Sequence, residues 1–155
     1  MSLPEHEKWM QVALQQAKKA LQYDEVPVGA VIVLNNEIIG TGFNQVIRLS
    51  DPTAHAEIIA LRQAGMAKHN YRLPECDIYV TLESCMMCLG AMVHARLRCV
   101  YFATTEPKAG VICSQAHLHQ SNFLNHRLDV QGGVLMKEAS QLLKDFFKKK
   151  RSINC

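Results

Sequence analysis

From residue 26 onward the chain alternates short β-branched runs with stretches of helical length, and this alternation constrains its fold more than any other feature. V-P-V-G-A-V-I-V-L (26–34) and E-I-I-G-T-G-F (37–43) flank Asn35-Asn36. Asparagine tolerates the positive φ of a two-residue hairpin turn, so the two runs read as an antiparallel pair. I-Y-V-T-L (78–82), C-V-Y-F-A (99–103) and L-D-V-Q (128–131) supply three further strands. Helical spacing is predicted over 7–22, from Asp51-Pro52 to about Gly65, over 84–94 and over 134–149, with a short helix within 113–120. Asp51 is an N-cap type before a helix-initiating proline, and Ser84 is a competent N-cap for the 84–94 helix. Leu135, Leu142, Leu143, Phe146 and Phe147 form the expected buried face of the last helix. Strands that alternate with helices pair in parallel through crossovers. The expectation is therefore an α/β fold of three layers, α/β/α, on a five-stranded mixed, mostly parallel sheet to which the hairpin adds one antiparallel pair.

No repeat or low-complexity linker interrupts this pattern, so residues 1–155 are read as a single domain. A content of 48% apolar and 20% charged residues is that of an ordinary globular chain and argues against disorder. No apolar run approaches the roughly 20 residues needed to span a bilayer. The opening M-S-L-P-E-H-E-K-W carries acids where a secretory signal has a basic region followed by an apolar one. A cytoplasmic location with reduced thiols is expected, and paired cysteines then point to metal or catalysis. Cys85 and Cys88 form the single C-x-x-C, while Cys76, Cys99, Cys113 and Cys155 are scattered. Charge is uneven. Residues 1–95 hold 7 Lys/Arg against 10 Asp/Glu and residues 96–155 hold 10 against 4, which makes the second part basic and open to an anionic partner.

The chemistry lies in two stretches, T-A-H-A-E-I-I-A-L (53–61) and L-E-S-C-M-M-C-L-G (82–90). A C-x-x-C at a helix start sets two thiolates on one side of the first turn, where free N–H groups favour the ionised form. Two cysteines leave a tetrahedral zinc ion short of ligands. A third protein ligand with an open fourth position is the catalytic pattern, and His55 is the natural third. Both stretches follow strands in successive βα units, which brings them to the same sheet edge. Glu57 lies two residues beyond His55, and residues two apart face one site only where the helix is still forming. An acid beside zinc but not bound to it can move protons, while zinc lowers the pKa of a water toward about 7. A structural zinc module that binds RNA without turnover is the contrasting reading. It would fill the fourth position, for which His94 and Cys99 are open by spacing.

With His-x-Glu followed by Cys-x-x-Cys, the chain resembles the cytidine deaminase-like superfamily. Within it the chain is similar to the bacterial tRNA-specific adenosine deaminases, through V-P-V-G-A-V, G-F-N, D-P-T-A-H-A-E-I, N-Y-R-L, T-L-E-S-C-M-M-C-L-G-A-M, N-H-R and D-F-F-K-K-K-R. Two positions depart from the pattern. Ser84 stands where that family usually has proline, and Glu106 where it commonly has aspartate. The resemblance implies one Zn2+ per subunit on His55, Cys85 and Cys88, with Glu57 as the proton carrier. It implies hydrolytic conversion of a wobble adenosine to inosine in a tRNA anticodon loop. Asn44 would hydrogen-bond the base, and Val28, Ala30 and Leu82 would line the pocket. Glu106, Lys108, Arg127, Lys148, Lys149 and Arg151 are candidate contacts to the anticodon stem-loop. A homodimer is implied too. The close alternative is a zinc deaminase of a free nucleobase or nucleoside such as cytosine, guanine or cytidine.

Overall fold

The computed structural model describes residues 3–154, so Cys155 lies outside it. Helix α1 (Leu3–Ala20) leads through a single 3-10 turn (Leu21–Tyr23) into the hairpin of β1 (Gly29–Leu34) and β2 (Glu37–Phe43). Asn35 and Asn36 both take positive φ, at 50° and 62°, as the turn requires. Then come α2 (Ala56–Lys68), β3 (Asp77–Leu82), α3 (Met86–Ala95), β4 (Cys99–Thr104), β5 (Asp129–Gln131) and α4 (Met136–Asn154). The stretch expected as a short helix within 113–120 forms only a 3-10 turn at Leu118–Gln120.

The sheet order is β2-β1-β3-β4-β5. The expected three layers and mixed five-stranded sheet are found, but half of the pairings are parallel. β3 pairs with β4 and β4 with β5 in parallel, whereas β1 is antiparallel to both β2 and β3. The crossover through α2 does make β2 and β3 run the same way. It deposits β3 beside β1, however, so the first strand of the hairpin sits between two neighbours of opposite direction.

Alternation along the strands divides the core between the two faces. Ala30, Ile32, Ile78 and Val80 face α2 and α3 and pack with Ala56, Ala60, Leu89 and Met92. Val31, Val33 and Tyr79 face α1 and α4 and pack with Trp9, Met10, Ala13 and Ala139. On α4 the buried residue is Ala139, with Leu142 half-buried beside it. Phe147, expected inside, is exposed. The helix packs on β4 and, to a lesser extent, β3, and its apolar stripe is wider than that contact.

Two further boundaries differ from expectation. Asp51 does not cap a helix: its Oδ1 accepts the Thr53 N–H (2.9 Å) and hydroxyl (2.7 Å) in an isolated turn. Helix α2 begins only at Ala56, where it docks so closely on β2 that a Cβ on Gly42 would lie 2.3 Å from the Ala56 carbonyl. It also runs past Gly65 to Lys68 and closes on His69 in the left-handed conformation. No helix among the described residues is long and apolar enough to cross a membrane.

Candidate active site and metal centre

The first residues of α2 and α3 meet at the same edge of the sheet, as the crossover argument requires. His55 and Cys85 are the N-cap residues of these helices. Both have extended backbones (ψ 155° and 174°), and neither makes a side-chain capping bond. Their side chains are turned instead toward each other and toward Cys88. His55 Nδ1 lies 3.6 Å from Cys85 Sγ and 3.4 Å from Cys88 Sγ. Tetrahedral zinc, with Zn–S near 2.3 Å and Zn–N near 2.0–2.1 Å, would separate such donors by roughly 3.6 Å. The donor set therefore fits a zinc ion in identity and spacing. All three donor atoms lie within 4.8 Å of one another, the single such group of three found among the described residues.

The electrostatics agree. The Cys88 thiol and the His55 imidazole hydrogen-bond the Cys85 sulfur and pull its pKa down to about 4. Cys88, facing that thiolate and buried, is pushed far up. His55 is raised in turn by its bond to Cys85. The two sulfurs thus favour a single negative charge between them, and a divalent cation held there would displace the remaining thiol proton.

Glu57, in the first turn of α2, is 4% exposed. Burial pushes its carboxyl above the usual range. Its Oε2 accepts a 2.9 Å hydrogen bond from Ser84 Oγ. The hydroxyl expected to cap α3 is therefore used on the acid, and Cys85 takes the cap position.

Above these groups lies a cavity of about 180 Å³ lined by Val26, Val28, Asn44, His55, Ala56, Glu57, Leu82, Glu83, Cys85, Glu106 and Ala109. Of the residues expected there, Val28, Asn44, Leu82 and Glu106 are present. Ala30 is not, because it points into the fully buried layer beneath α2 and α3. Asn44 Nδ2 donates to the Val26 carbonyl (3.4 Å), while its Oδ1 is buried without a partner. Lys108, Arg127, Lys148, Lys149 and Arg151 are exposed and outside this lining. Lys149 borders a separate cleft with Asp24 and Lys150.

Sequence reasoning missed the side chain of Glu83. Its Oε1 accepts the Glu106 N–H (3.0 Å) and its Oε2 accepts those of Ile112 (3.0 Å), Cys113 (2.8 Å) and Ser114 (3.0 Å). The Ser114 hydroxyl also donates to it. Burial would raise this carboxyl, but the Ser114 hydroxyl and the backbone donors hold it at about 2. Glu83 thereby anchors the 106–114 loop that forms one wall of the cavity. The sequence offers only an acid at the end of a strand as a signal, because four of its five donors are backbone N–H groups.

Fold and site together are of deaminase type, with His55, Cys85 and Cys88 grouped so as to be able to hold a metal ion. The chain belongs to the MafB19-like deaminase family, which it matches over residues 4–151. It is similar to the tRNA-specific adenosine deaminase of Haemophilus influenzae, at 49% identity over 146 residues that cover 94% of this chain and 84% of the relative. A solved structure from work on A-to-I editing by tRNA:A34 deaminases at the wobble position of transfer RNA matches with a TM-score of 0.85. The identity there is 40%, covering 88% of this chain and 99% of that one. The guanine deaminase of Bacillus subtilis matches at TM-score 0.62 and 39% identity, over 64% of each chain.

Proposed function

We propose that this chain is a zinc-dependent tRNA adenosine deaminase that hydrolyses the wobble adenosine of an anticodon loop to inosine and ammonia. The observation that carries the reading is the group of His55, Cys85 and Cys88 with Glu57 beside it, at the base of a cavity lined by Asn44. Near-full-length similarity to tRNA-specific adenosine deaminases favours RNA over a free base.

His55, Cys85 and Cys88 would hold one zinc ion per subunit, within a single deaminase domain. When bound, zinc supplies an activated water near neutral pH. Glu57 would take a proton from the attacking water and deliver it to N1 of the base as the C6–O bond forms. It then carries the second proton to the amine, and the C6–N6 bond breaks to release ammonia. The buried Oδ1 of Asn44 offers an acceptor to the substrate. A cavity of about 180 Å³ is smaller than the roughly 300–1,000 Å³ of sites for drug-sized ligands. It takes a base, so the adenosine must be splayed out of its loop. Leu82 and Val28 would press on the base. Glu106, Lys108, Arg127, Lys148, Lys149 and Arg151 would meet the flanking backbone.

A homodimer follows from the same reading. A shallow apolar groove between α2 and α3, lined by Ile58, Leu61, Met66, Tyr71 and Ala91, is its natural face. Sedimentation at micromolar concentration should give twice the chain mass. The reading as a whole places the chain in the cytoplasm, where its tRNA substrate is found.

The deciding experiment is inosine formation by zinc-loaded protein in an anticodon stem-loop with adenosine at the wobble position, beside free adenosine, cytidine, cytosine and guanine. Inosine in the stem-loop alone supports the proposal. Turnover of a free base with an inert stem-loop would discard it in favour of a nucleobase deaminase.

A further inference from the structure

Among the groups around the acid, one has no part in the proton path described above. Ser84 is 1% exposed, between the end of β3 and the start of α3. Its carbonyl accepts the Val111 N–H (3.1 Å) from the loop that Glu83 anchors. Its hydroxyl donates to Glu57 Oε2 at 2.9 Å. The residue is therefore pinned to the cavity wall on one side and to the acid on the other. A glutamate side chain has three rotatable bonds, and the Ser84 hydrogen bond restricts the last of them.

We infer that Ser84 is a positioning residue, whose hydroxyl holds Oε2 of Glu57 and thereby assigns proton transfer to Oε1. The inference rests on the deaminase reading above and adds a division of labour within the carboxyl group. The arrangement serves both states of the cycle. When Glu57 is ionised, Oε2 accepts the serine hydrogen as a carboxylate oxygen. When Glu57 carries its proton on Oε1, Oε2 is the carbonyl oxygen and accepts the same hydrogen. The acid can load and unload a proton without rotating, which is the preorganisation that proton transfer in a confined site needs.

The test compares Ser84→Ala and Ser84→Thr in the zinc-loaded, full-length protein, by two readouts. The first is steady-state deamination of the wobble-adenosine stem-loop. Ser84→Ala should lower kcat roughly tenfold, the effect of losing one charge-assisted hydrogen bond in the transition state. KM, zinc content and melting temperature should stay at wild-type values, and Ser84→Thr should recover most of the loss. The second readout needs no substrate. The Glu57 carboxyl band, isolated in infrared difference spectra against Glu57→Gln, should move in Ser84→Ala and return in Ser84→Thr. Wild-type kcat and an unmoved band in Ser84→Ala would overturn the inference. So would an equal loss of zinc and activity in both variants, which would make Ser84 a scaffold residue. If wild-type protein leaves the stem-loop unchanged, the functional reading fails, and the infrared band still decides the role of Ser84.

Discussion

A Cβ built on Gly110 would lie 2.3 Å from the carboxyl carbon of Glu83 and 2.6 Å from the Glu106 carbonyl oxygen. The loop closes on the carboxylate with no room for a methyl group. Gly110→Ala must therefore displace either an acid held by five donors or the backbone itself. Overpacking of this kind costs roughly 1–3 kcal/mol. Urea unfolding should show a lower midpoint with an unchanged slope, and a wild-type midpoint would mean that the loop yields freely.

The same carboxylate should govern acid stability. Glu83 is held at about 2, below its ordinary 4.5, so the folded state binds its proton less readily than the unfolded chain. Its contribution is complete above about 4.5 and is lost as pH falls through the folded value near 2. Glu83→Gln should be less stable at neutral pH, and its stability should fall less between pH 5 and pH 2. Parallel curves for the two proteins would refute this account.

Metal and acid should separate cleanly. Cys88→Ser, or chelation of the wild type, should remove zinc and lower the melting temperature by about 10 °C, since a ligand well above its dissociation constant adds a few kcal/mol. Glu57→Gln should retain zinc and lose activity by at least about 10²-fold, the contribution of a positioned proton carrier. Elemental analysis of both variants checks the division. Zinc lost from Glu57→Gln would make Glu57 a ligand.

The basic end of α4 offers a graded test. Lys150 is paired with Asp24 and lies over the Phe146 ring, so its charge is already engaged. Lys148 and Lys149 form none of the ion pairs found among the described residues. Lys148→Ala and Lys149→Ala should each weaken stem-loop binding and flatten its salt dependence by about one unit of slope. Lys150→Ala should leave the slope unchanged. A flat response across all three would remove this helix from the RNA contact.

Much of this was legible in the sequence because local chemistry and global fold agree. Asn35-Asn36 between two β-branched runs reads as a turn, and H-x-E and C-x-x-C sit where successive βα units bring them together. Strand order was less accessible. Alternation fixes the direction of a crossover but not the slot it fills, so the place of β1 between β2 and β3 was not evident. The start of α2 was misplaced because Asp51-Pro52 is as good a turn as a helix cap, and only the docking of Ala56 on Gly42 decides between them. The role of Glu83 is not legible because four of its five donors are backbone N–H groups more than twenty residues downstream, which carry no side-chain signature.

The uncapped starts of α2 and α3 have a consequence for anyone who sets out to make this protein sturdier. A serine or aspartate at position 55 or 85 would supply the missing capping bond, typically about 1 kcal/mol of helix stability. A stabilisation screen scored on melting alone in metal-free buffer would thus reward the loss of His55 and Cys85. These two helix starts, left without a capping bond, are the ones the chemistry holds in place. Selection for thermal tolerance without selection for turnover should erode the enzyme there first.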